Sequence, residues 1–309
     1  MTQQVTDPLN PVVNAVPPTE AELKILQMLV YQECGMHFDD RRSHFLQDRV
    51  QRRMRACQTP SFYSYYRLLT SSDGKRELAA LLENLTINET SFFRNKAQFE
   101  LFHKVVMEEL LQRKQLQHDY SVRVWSAGCS TGQEAYTIAM LMCDAIGYYA
   151  LRNPLIPSTG SAKSLVPPPW KFEVLASDIS YSALRAGQEG IYNENQMEAV
   201  DFAYRLRYFD KVGDRYAVKK AVKELVRFDF HNLKTEFLPQ HNDVIFCRNV
   251  MIYFDQAEQQ RAVEKFYRCL DPGGYLFIGH AETLFGITEK FRMIHQANGT
   301  AHQRIEVAR

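Results

Sequence analysis

The 309-residue sequence predicts an α/β protein: a parallel sheet covered on both faces, with a small all-helical domain before it and a small antiparallel β-lobe attached. Three observations carry that class. From about residue 120 onward, short apolar runs alternate with helical stripes, the pattern of a covered parallel sheet. Residues 19–85 read as helices with no strand among them. Two strand-like runs are separated only by Gly213-Asp214, the length of a hairpin turn.

Taken in order, residues 1–18 carry Pro8, Pro11, Pro17 and Pro18 and no aromatic side chain, and read as a disordered tail. Thr19 with Glu22 is a capping box that opens a helix running to Cys34, where Gly35 supplies the stop. Further helices are expected over 40–57, 62–69 and 76–85. A strand over 122–127 leads through a Gly-bearing turn into a helix with Ala135, Ile138, Ala139, Met142, Cys143 and Ile146 on one face. A strand over 172–177 ends at Asp178 and is followed by a helix over 180–187. After a strand over 244–247 comes a helix over 256–270, stopped by Asp271-Pro-Gly-Gly274, and a strand over 275–279. Two stretches interrupt the alternation. Residues 151–170 hold five prolines and read as an exposed loop insertion. Runs at 208–212 and 215–218 form the hairpin, whose second strand is expected to lead toward 225–230 within the antiparallel lobe. The expected division is a tail over 1–18, a helical domain and linker over 19–95, and an α/β domain over 96–309 with the lobe at about 200–228.

Lys and Arg number 37 against 36 Asp and Glu, so a net charge of +1 argues against a protein built to coat nucleic acid. No apolar run reaches the roughly 18 residues of a membrane span. The first residues lack the basic start and apolar core of a secretory signal. Cys34, Cys57, Cys129, Cys143, Cys247 and Cys269 form no CxxC and no zinc spacing. They read as reduced cytosolic thiols, with neither a disulfide framework nor a metal site expected.

The chemistry concentrates in four stretches. WSAGCSTGQE at 125–134 is the first strand-to-helix turn, where α/β sheets bind ligands, and Gly128 and Gly132 would let the backbone approach one closely. Its G-x-x-x-G spacing is neither the pyrophosphate fingerprint nor a P-loop, which favours a nucleoside without phosphates. The same turn also reads as a plain helix start capped by Thr131 and Glu134. Asp178 closes the second strand, where an acid accepts hydrogen bonds from ribose hydroxyls, or else caps the helix at Ser180. With the glycine turn one strand earlier, the ribose role is the better reading. NLTINETSFFR at 84–94 is dense in short polar side chains and ends in two aromatics and an arginine. Its plain alternative is a cap at Asn88 or Thr90 with Phe92 and Phe93 stapled into the core. CRNVMIY at 247–253 follows a later strand at a ligand-binding edge, or else merely ends it with a surface Arg248 and a core Tyr253.

These stretches resemble, in the family's order, the CheR family of chemotaxis receptor methyltransferases, which move a methyl group from S-adenosylmethionine to receptor glutamates. The match rests on NLTINETSFFR, RVWSAGCSTGQEAYTIA, VLASDIS, RFDFHNL, DVIFCRNVMIYFD and LDPGGYLFIGHAE, and spans roughly 23–282. Departures are Gln133, where the family often has the first of two acids, the long 151–170 insertion, and the short turn at Gly213. The resemblance implies a Rossmann-like class I methyltransferase domain behind a helical substrate-docking domain. It implies S-adenosylmethionine as cofactor and S-adenosylhomocysteine as product. Residue by residue, Asn88, Thr90 and Arg94 match the first cofactor-binding segment, and Glu134 the retained acid near the methionine end. Asp178 matches the ribose acid, Asn232 and Leu233 the pair flanking adenine, Arg248 and Asn249 a second pair beside the cofactor. Tyr253 matches a tyrosine near the transferred methyl. The implied partner is the cytoplasmic helical region of chemotaxis receptors, with the protein cytoplasmic and recruited to membrane receptor arrays. Some members of the family tether a receptor tail through the β-lobe.

The implied acceptor is a carboxylate with a reference pKa of about 4.3, ionised without help at neutral pH, so no general base is required. Alignment of oxygen, methyl and sulfur, worth up to roughly 7–11 kcal/mol, would carry catalysis. Arg94 and Tyr253 can donate hydrogen bonds that orient cofactor and carboxylate. An acidic substrate needs a basic surface. Arg42, Arg49 and Arg53 fall in one row of the second helix, with Arg41, Arg52 and Arg55 further round, while Leu46, Val50 and Met54 face the core. Forked guanidinium groups suit carboxylates, although such a run taken alone is a solvated basic face. Two other classes remain distinguishable. A degenerate sensor that binds the cofactor without transfer is disfavoured by intact Arg94, Asp178 and Tyr253. An RNA methyltransferase using the arginine helix would bind RNA in a strongly salt-dependent way and is disfavoured by the balanced charge.

Overall fold

The computed structural model describes residues 15–39, 42–153, 165–296 and 298–306. The chain divides into two compact units, one ending at Ile87 and the other beginning at Asn88.

The first unit is helical: α1 (Glu20–Cys34), α2 (Ser43–Ala56), α3 (Phe62–Thr70) and α4 (Lys75–Leu85). Its start signal works as expected. The Glu22 amide donates to Thr19 Oγ1 at 3.3 Å, and the Thr19 amide donates to Glu22 Oε2 at 2.7 Å. Left-handed Gly35 ends α1, its amide returning to the Tyr31 carbonyl at 2.9 Å. Helix α2 buries Leu46, Val50 and Met54, spaced four apart so that one face meets the core. Asp40 and Arg41, expected at its start, lie outside the described residues, as do residues 1–14 of the expected tail and 154–164 of the expected insertion.

The second unit opens with a helix in three parts, α5 (Lys96–Leu101), a π-helical turn (Phe102–Val106) and α6 (Met107–Leu116). Then follow β1 (Ser121–Ala127), α7 (Gln133–Arg152), β2 (Lys171–Asp178), α8 (Tyr181–Glu189), β3 (Ile191–Asn193), α9 (Phe202–Tyr208), β4 (Phe209–Val212), β5 (Arg215–Val218), α10 (Lys220–Lys223), β6 (Val226–Phe230), β7 (Asn242–Cys247), α11 (Gln256–Cys269), β8 (Leu270–Ile278), β9 (Phe291–Gln296) and β10 (Gly299–Arg304). The seven-stranded sheet runs β6-β2-β1-β7-β8-β10-β9. Its first five strands are parallel, and β10 and β9 close it antiparallel. Strand order reverses between β1 and β7, the switch point at whose carboxyl edge such sheets bind ligands.

Alternation along the strands covers both faces. Val122, Val124, Val244, Phe246 and Phe277 join the core made with α5, α6 and α7. Trp125, Ile245, Cys247, Leu276 and Ile278 join a second core with Val263 and Phe266 of α11. Phe246 stacks on Phe277 with centroids 4.4 Å apart and on Phe99 at 5.8 Å, which holds α5 against the sheet.

Three expectations need correction. The 226–230 segment is no part of the antiparallel lobe: β6 pairs parallel with β2 as the edge strand of the main sheet, burying Val226 in the main core. The lobe is β3-β5-β4, and its third strand is Ile191–Asn193. Asp271-Pro-Gly-Gly274 does stop a helix, but inside a strand. Asn242 pairs with Leu270 and Val244 with Tyr275, so those four residues bulge out of β8. The expected hairpin does form, with Val212 opposite Arg215 across Gly213-Asp214. Among the described residues no helix is long and apolar enough to cross a membrane.

Candidate active site

The site is assembled at the carboxyl edge of β1, β2 and β7. After β1 the chain turns sharply: the amides of Gly128 and Cys129 both donate to the Ser177 carbonyl, at 2.8 and 2.9 Å. Gly128 has φ of +85°, and a Cβ there would lie 2.3 Å from Val250 Cγ2. Gly132 has φ of +92°, and its Cβ would meet Phe228 at 2.9 Å. Packing against Val250 and Phe228 therefore leaves no room for a side chain at either glycine, and the positive φ angles keep the turn tight.

The plain alternative for this turn, a capping box of Thr131 and Glu134, does not form. Gly132 occupies the N-cap of α7 without a side-chain bond, and Thr131 Oγ1 donates to Gln133 Oε1 at 2.7 Å. Glu134 is thereby directed into the site. Its Oε1 accepts from Ser126 Oγ at 2.7 Å, and its Oε2 lies 3.3 Å from Arg248 Nη1. The two side chains are only 12% and 3% exposed. Burial pushes the Glu134 carboxyl above its ordinary value despite Arg248 beside it. Burial likewise lowers the Arg248 guanidinium from its ordinary value, against Glu134. This is a desolvated pair joining the β1 and β7 loops across the switch point.

Asp178 is buried at the end of β2. Its Oδ2 accepts the Ser130 amide at 2.8 Å and its Oδ1 the Ser180 amide at 2.9 Å. The cap of α8 is Ser180 itself, which accepts the Ala183 amide. Asp178 thus ties two loops together rather than capping a helix. The next strand end joins through its carbonyl, which accepts the His231 amide at 3.0 Å. Asn232 follows, its side-chain oxygen accepting the Lys234 amide at 3.0 Å. The Leu233 carbonyl accepts from Lys265 Nζ at 3.3 Å, and Leu233 packs on the second core.

The 88–95 segment docks against this edge. The Asn88 carbonyl accepts from Ser130 Oγ at 3.1 Å, the Phe93 amide donates to Thr137 Oγ1 at 3.3 Å, and Arg94 Nη1 returns to the Glu89 carbonyl at 2.8 Å. The Arg94 carbonyl accepts from Arg248 Nη2. Phe92 is fully buried, edge-on to Tyr192 at 4.9 Å and Phe209 at 5.4 Å, so it staples the segment to the antiparallel lobe. Thr90 is half-buried in the same segment. Phe93, Asn95, Ser130 and Asn249 all have φ between 49° and 60°, a left-handed backbone that costs side-chain-bearing residues energy and collects at functional sites. Tyr253 ends the 3₁₀ turn Met251–Tyr253 just beyond Arg248 and Asn249.

Hydrogen bonds therefore join Asn88 to Asp178 through Ser130, and Glu134 to Arg248 and the Arg94 carbonyl, with Gly128, Asn232, Leu233, Asn249 and Tyr253 on adjoining turns. Sequence reasoning missed Ser126, whose only signal is a hydroxyl between Trp125 and Ala127 at the end of the strand. It also gave no role to Glu282, whose carboxylate reaches the amide of Asn249 at 3.1 Å. Among the described residues no cluster of His, Cys, Asp or Glu could hold a metal ion.

The arginines expected to dock substrate lie in the first unit, and one of them is committed there. Arg53 Nε donates to Glu77 Oε1 at 3.0 Å and Nη2 to Oε2 at 2.5 Å, while Tyr65 OH donates to Oε1 at 2.8 Å. Burial raises the Glu77 carboxyl, but hydrogen bonds from Arg53, Cys57 and Tyr65 outweigh it and hold the carboxyl below its ordinary value. Arg53 is a tie between α2 and α4, which leaves Arg42, Arg49 and Arg52 of the arginines expected to dock substrate. Of these, Arg49 lies over the Phe45 ring at 5.0 Å and Arg52 pairs with Asp48 at 2.9 Å on an exposed face.

Comparison with known proteins agrees with both units. Residues 21–86 match the family described as CheR methyltransferase, all-alpha domain, and residues 88–154 and 161–300 match CheR methyltransferase, SAM binding domain. A chemotaxis protein methyltransferase of Borreliella burgdorferi is 31% identical over 271 residues, covering 87% of this chain and 90% of its own. That of Escherichia coli is 32% identical over 281 residues, covering 89% and 88%. Chemotaxis protein methyltransferase 2 of Vibrio cholerae is 28% identical over 296 residues, covering 94% and 96%.

Proposed function

The chain belongs to the CheR methyltransferase family, and from that premise we propose that it transfers a methyl group from S-adenosylmethionine to glutamate γ-carboxylates of methyl-accepting chemotaxis receptors, leaving glutamate methyl esters and S-adenosylhomocysteine, in sensory adaptation. The observation that carries this reading is the desolvated Glu134–Arg248 pair at the point where strand order reverses, with Asp178 one strand away.

The residues present suit the cofactor. Its amino-acid end carries an ammonium and a carboxylate. Glu134, a carboxylate stripped of water, gains most from a cation beside it, and Arg248 has a buried Nε with no hydrogen-bond partner. Asp178 would accept hydrogen bonds from ribose hydroxyls, Asn232 and Leu233 would hold the adenine, and Asn88, Thr90, Gly128 and Asn249 would complete the wall. When bound, S-adenosylmethionine supplies an electrophilic methyl on a sulfonium whose departure leaves a neutral thioether. Arg94 and Tyr253 orient the incoming carboxylate. A glutamate with a reference pKa of about 4.3 arrives ionised, so no residue of this chain has to remove a proton. Holding the groups in line supplies the catalysis, up to roughly 7–11 kcal/mol.

On this reading the helical unit docks the receptor's acidic helices through Arg42, Arg49 and Arg52, and the β3-β5-β4 lobe is the place for a receptor tail. The protein then works in the cytoplasm at membrane receptor arrays. Incubation with cytoplasmic receptor fragments and labelled donor tests the reaction. Label bound to receptor and released as methanol by mild alkali is expected, since esters hydrolyse so. Alkali-stable label, or label on RNA alone, contradicts it.

A further inference from the structure

Glu282 has no part in the reading above, yet it joins two strand ends that the reading depends on. It lies four residues beyond the end of β8, and its carboxylate turns back onto both strands. Oε2 accepts the amides of Gly279 and Asn249, the latter at 3.1 Å, and Oε1 accepts the amide of Ile252 at 3.2 Å. Gly279 is directly beyond Ile278, which pairs with Cys247, so the carboxylate sits where β7 and β8 finish side by side. The fit is close: a Cβ on Gly279 would lie 2.8 Å from Glu282 Oε2 and 2.9 Å from the Asn249 amide. Asn249 has φ of 60°, the left-handed region that asparagine tolerates better than most residues, and its amide is turned to Glu282. Its neighbours on the same turn are Arg248, half of the switch-point pair, and Tyr253.

We propose that Glu282 is a positioning residue for methyl transfer: its carboxylate clasps the ends of β7 and β8 and fixes the turn that carries Arg248, Asn249 and Tyr253. Both oxygens are used as acceptors of main-chain N–H groups. A carboxamide offers one oxygen and one NH₂, so an isosteric glutamine must turn a donor toward a donor. Burial pushes the Glu282 carboxyl above its ordinary value, and the backbone amides of Gly279, Asn249 and Ile252 hold it back.

The proposal rests on the assignment of Arg248 to cofactor binding, and its test has a readout independent of the methyl acceptor. In Glu282→Gln, S-adenosylhomocysteine affinity measured by calorimetry should fall about tenfold or more, and kcat at saturating substrates should fall at least as much. The KM for receptor fragment should stay at the wild-type value, because Glu282 has no place on the docking helix. Glu282→Asp, with the carboxylate withdrawn by one methylene, should show the same split and decides the matter if the glutamine variant does not fold. Folded variants with wild-type affinity and kcat overturn the clasp. So does a loss of activity that only tracks the unfolded fraction. Wild-type protein that binds S-adenosylhomocysteine but methylates no receptor would contradict the proposed acceptor, while the affinity difference between wild type and variant still decides the clasp.

Discussion

Asp178 accepts two main-chain amides from two different loops, so its loss would open the site as well as remove an acceptor. Hydrogen bonds to a charged group are worth about 1.5–3 kcal/mol each. Asp178→Ala should therefore weaken S-adenosylhomocysteine binding by at least about tenfold in calorimetry. A folded variant with unchanged affinity would remove Asp178 from the site. The position of Asp178 at a strand's carboxyl end was readable, but its plain alternative, capping the next helix, falls only in the fold, where Ser180 is the cap. The role of Glu134 was less readable. Its spacing from Thr131 is that of a capping box, and only the fold shows the carboxylate drawn to Ser126 and Arg248 instead. Glu282 was unreadable as a functional residue, since its amide partners lie on turns that only the pairing of β7 with β8 brings together.

At the scale of the element, α2 separates two kinds of arginine that look alike in sequence. Helical periodicity put Arg53 in the same row as Arg42 and Arg49, but no pattern could reveal Glu77 on α4 as its partner. Arg53→Ala leaves a buried carboxylate unpaired and should cost on the order of 3 kcal/mol in denaturant unfolding at neutral pH. Because the folded Glu77 carboxyl is held below its ordinary value, that stabilisation is full above the unfolded pKa of about 4.3 and is lost as pH falls through the folded one. The wild-type advantage should shrink in acid. Arg49→Ala with Arg52→Ala should instead leave cofactor affinity unchanged while raising the KM for receptor, and added salt should mimic it, since charges open to solvent are screened over about 8 Å. A wild-type KM at low salt would make α2 a solvated face only. Other elements show the limits of pattern. Residues 226–230 follow the hairpin so closely that they read as its continuation, whereas their partner β2 lies some fifty residues earlier in the chain. The β9–β10 pair was missed because β9 is a mostly exposed edge strand with little apolar alternation.

For the molecule as a whole, a helical unit followed by a parallel sheet was legible because both periodicities are strong and the turn glycines are distinctive. The proposed chemistry makes one global demand: no group need titrate near neutrality for the transfer itself. Single-turnover rates should be nearly flat over roughly pH 7–9, where the acceptor is fully ionised. A limb in that range at saturating substrate would reveal a base. The central claim, that this site esterifies receptor glutamates, is tested most directly by mass spectrometry of receptor cytoplasmic fragments incubated with protein and S-adenosylmethionine. The account predicts single-methyl additions on glutamate side chains, reversed by mild alkali and reduced in Asp178→Ala at limiting S-adenosylmethionine; methylation confined to other residue types, or none on receptor under conditions where S-adenosylhomocysteine binds, would contradict it.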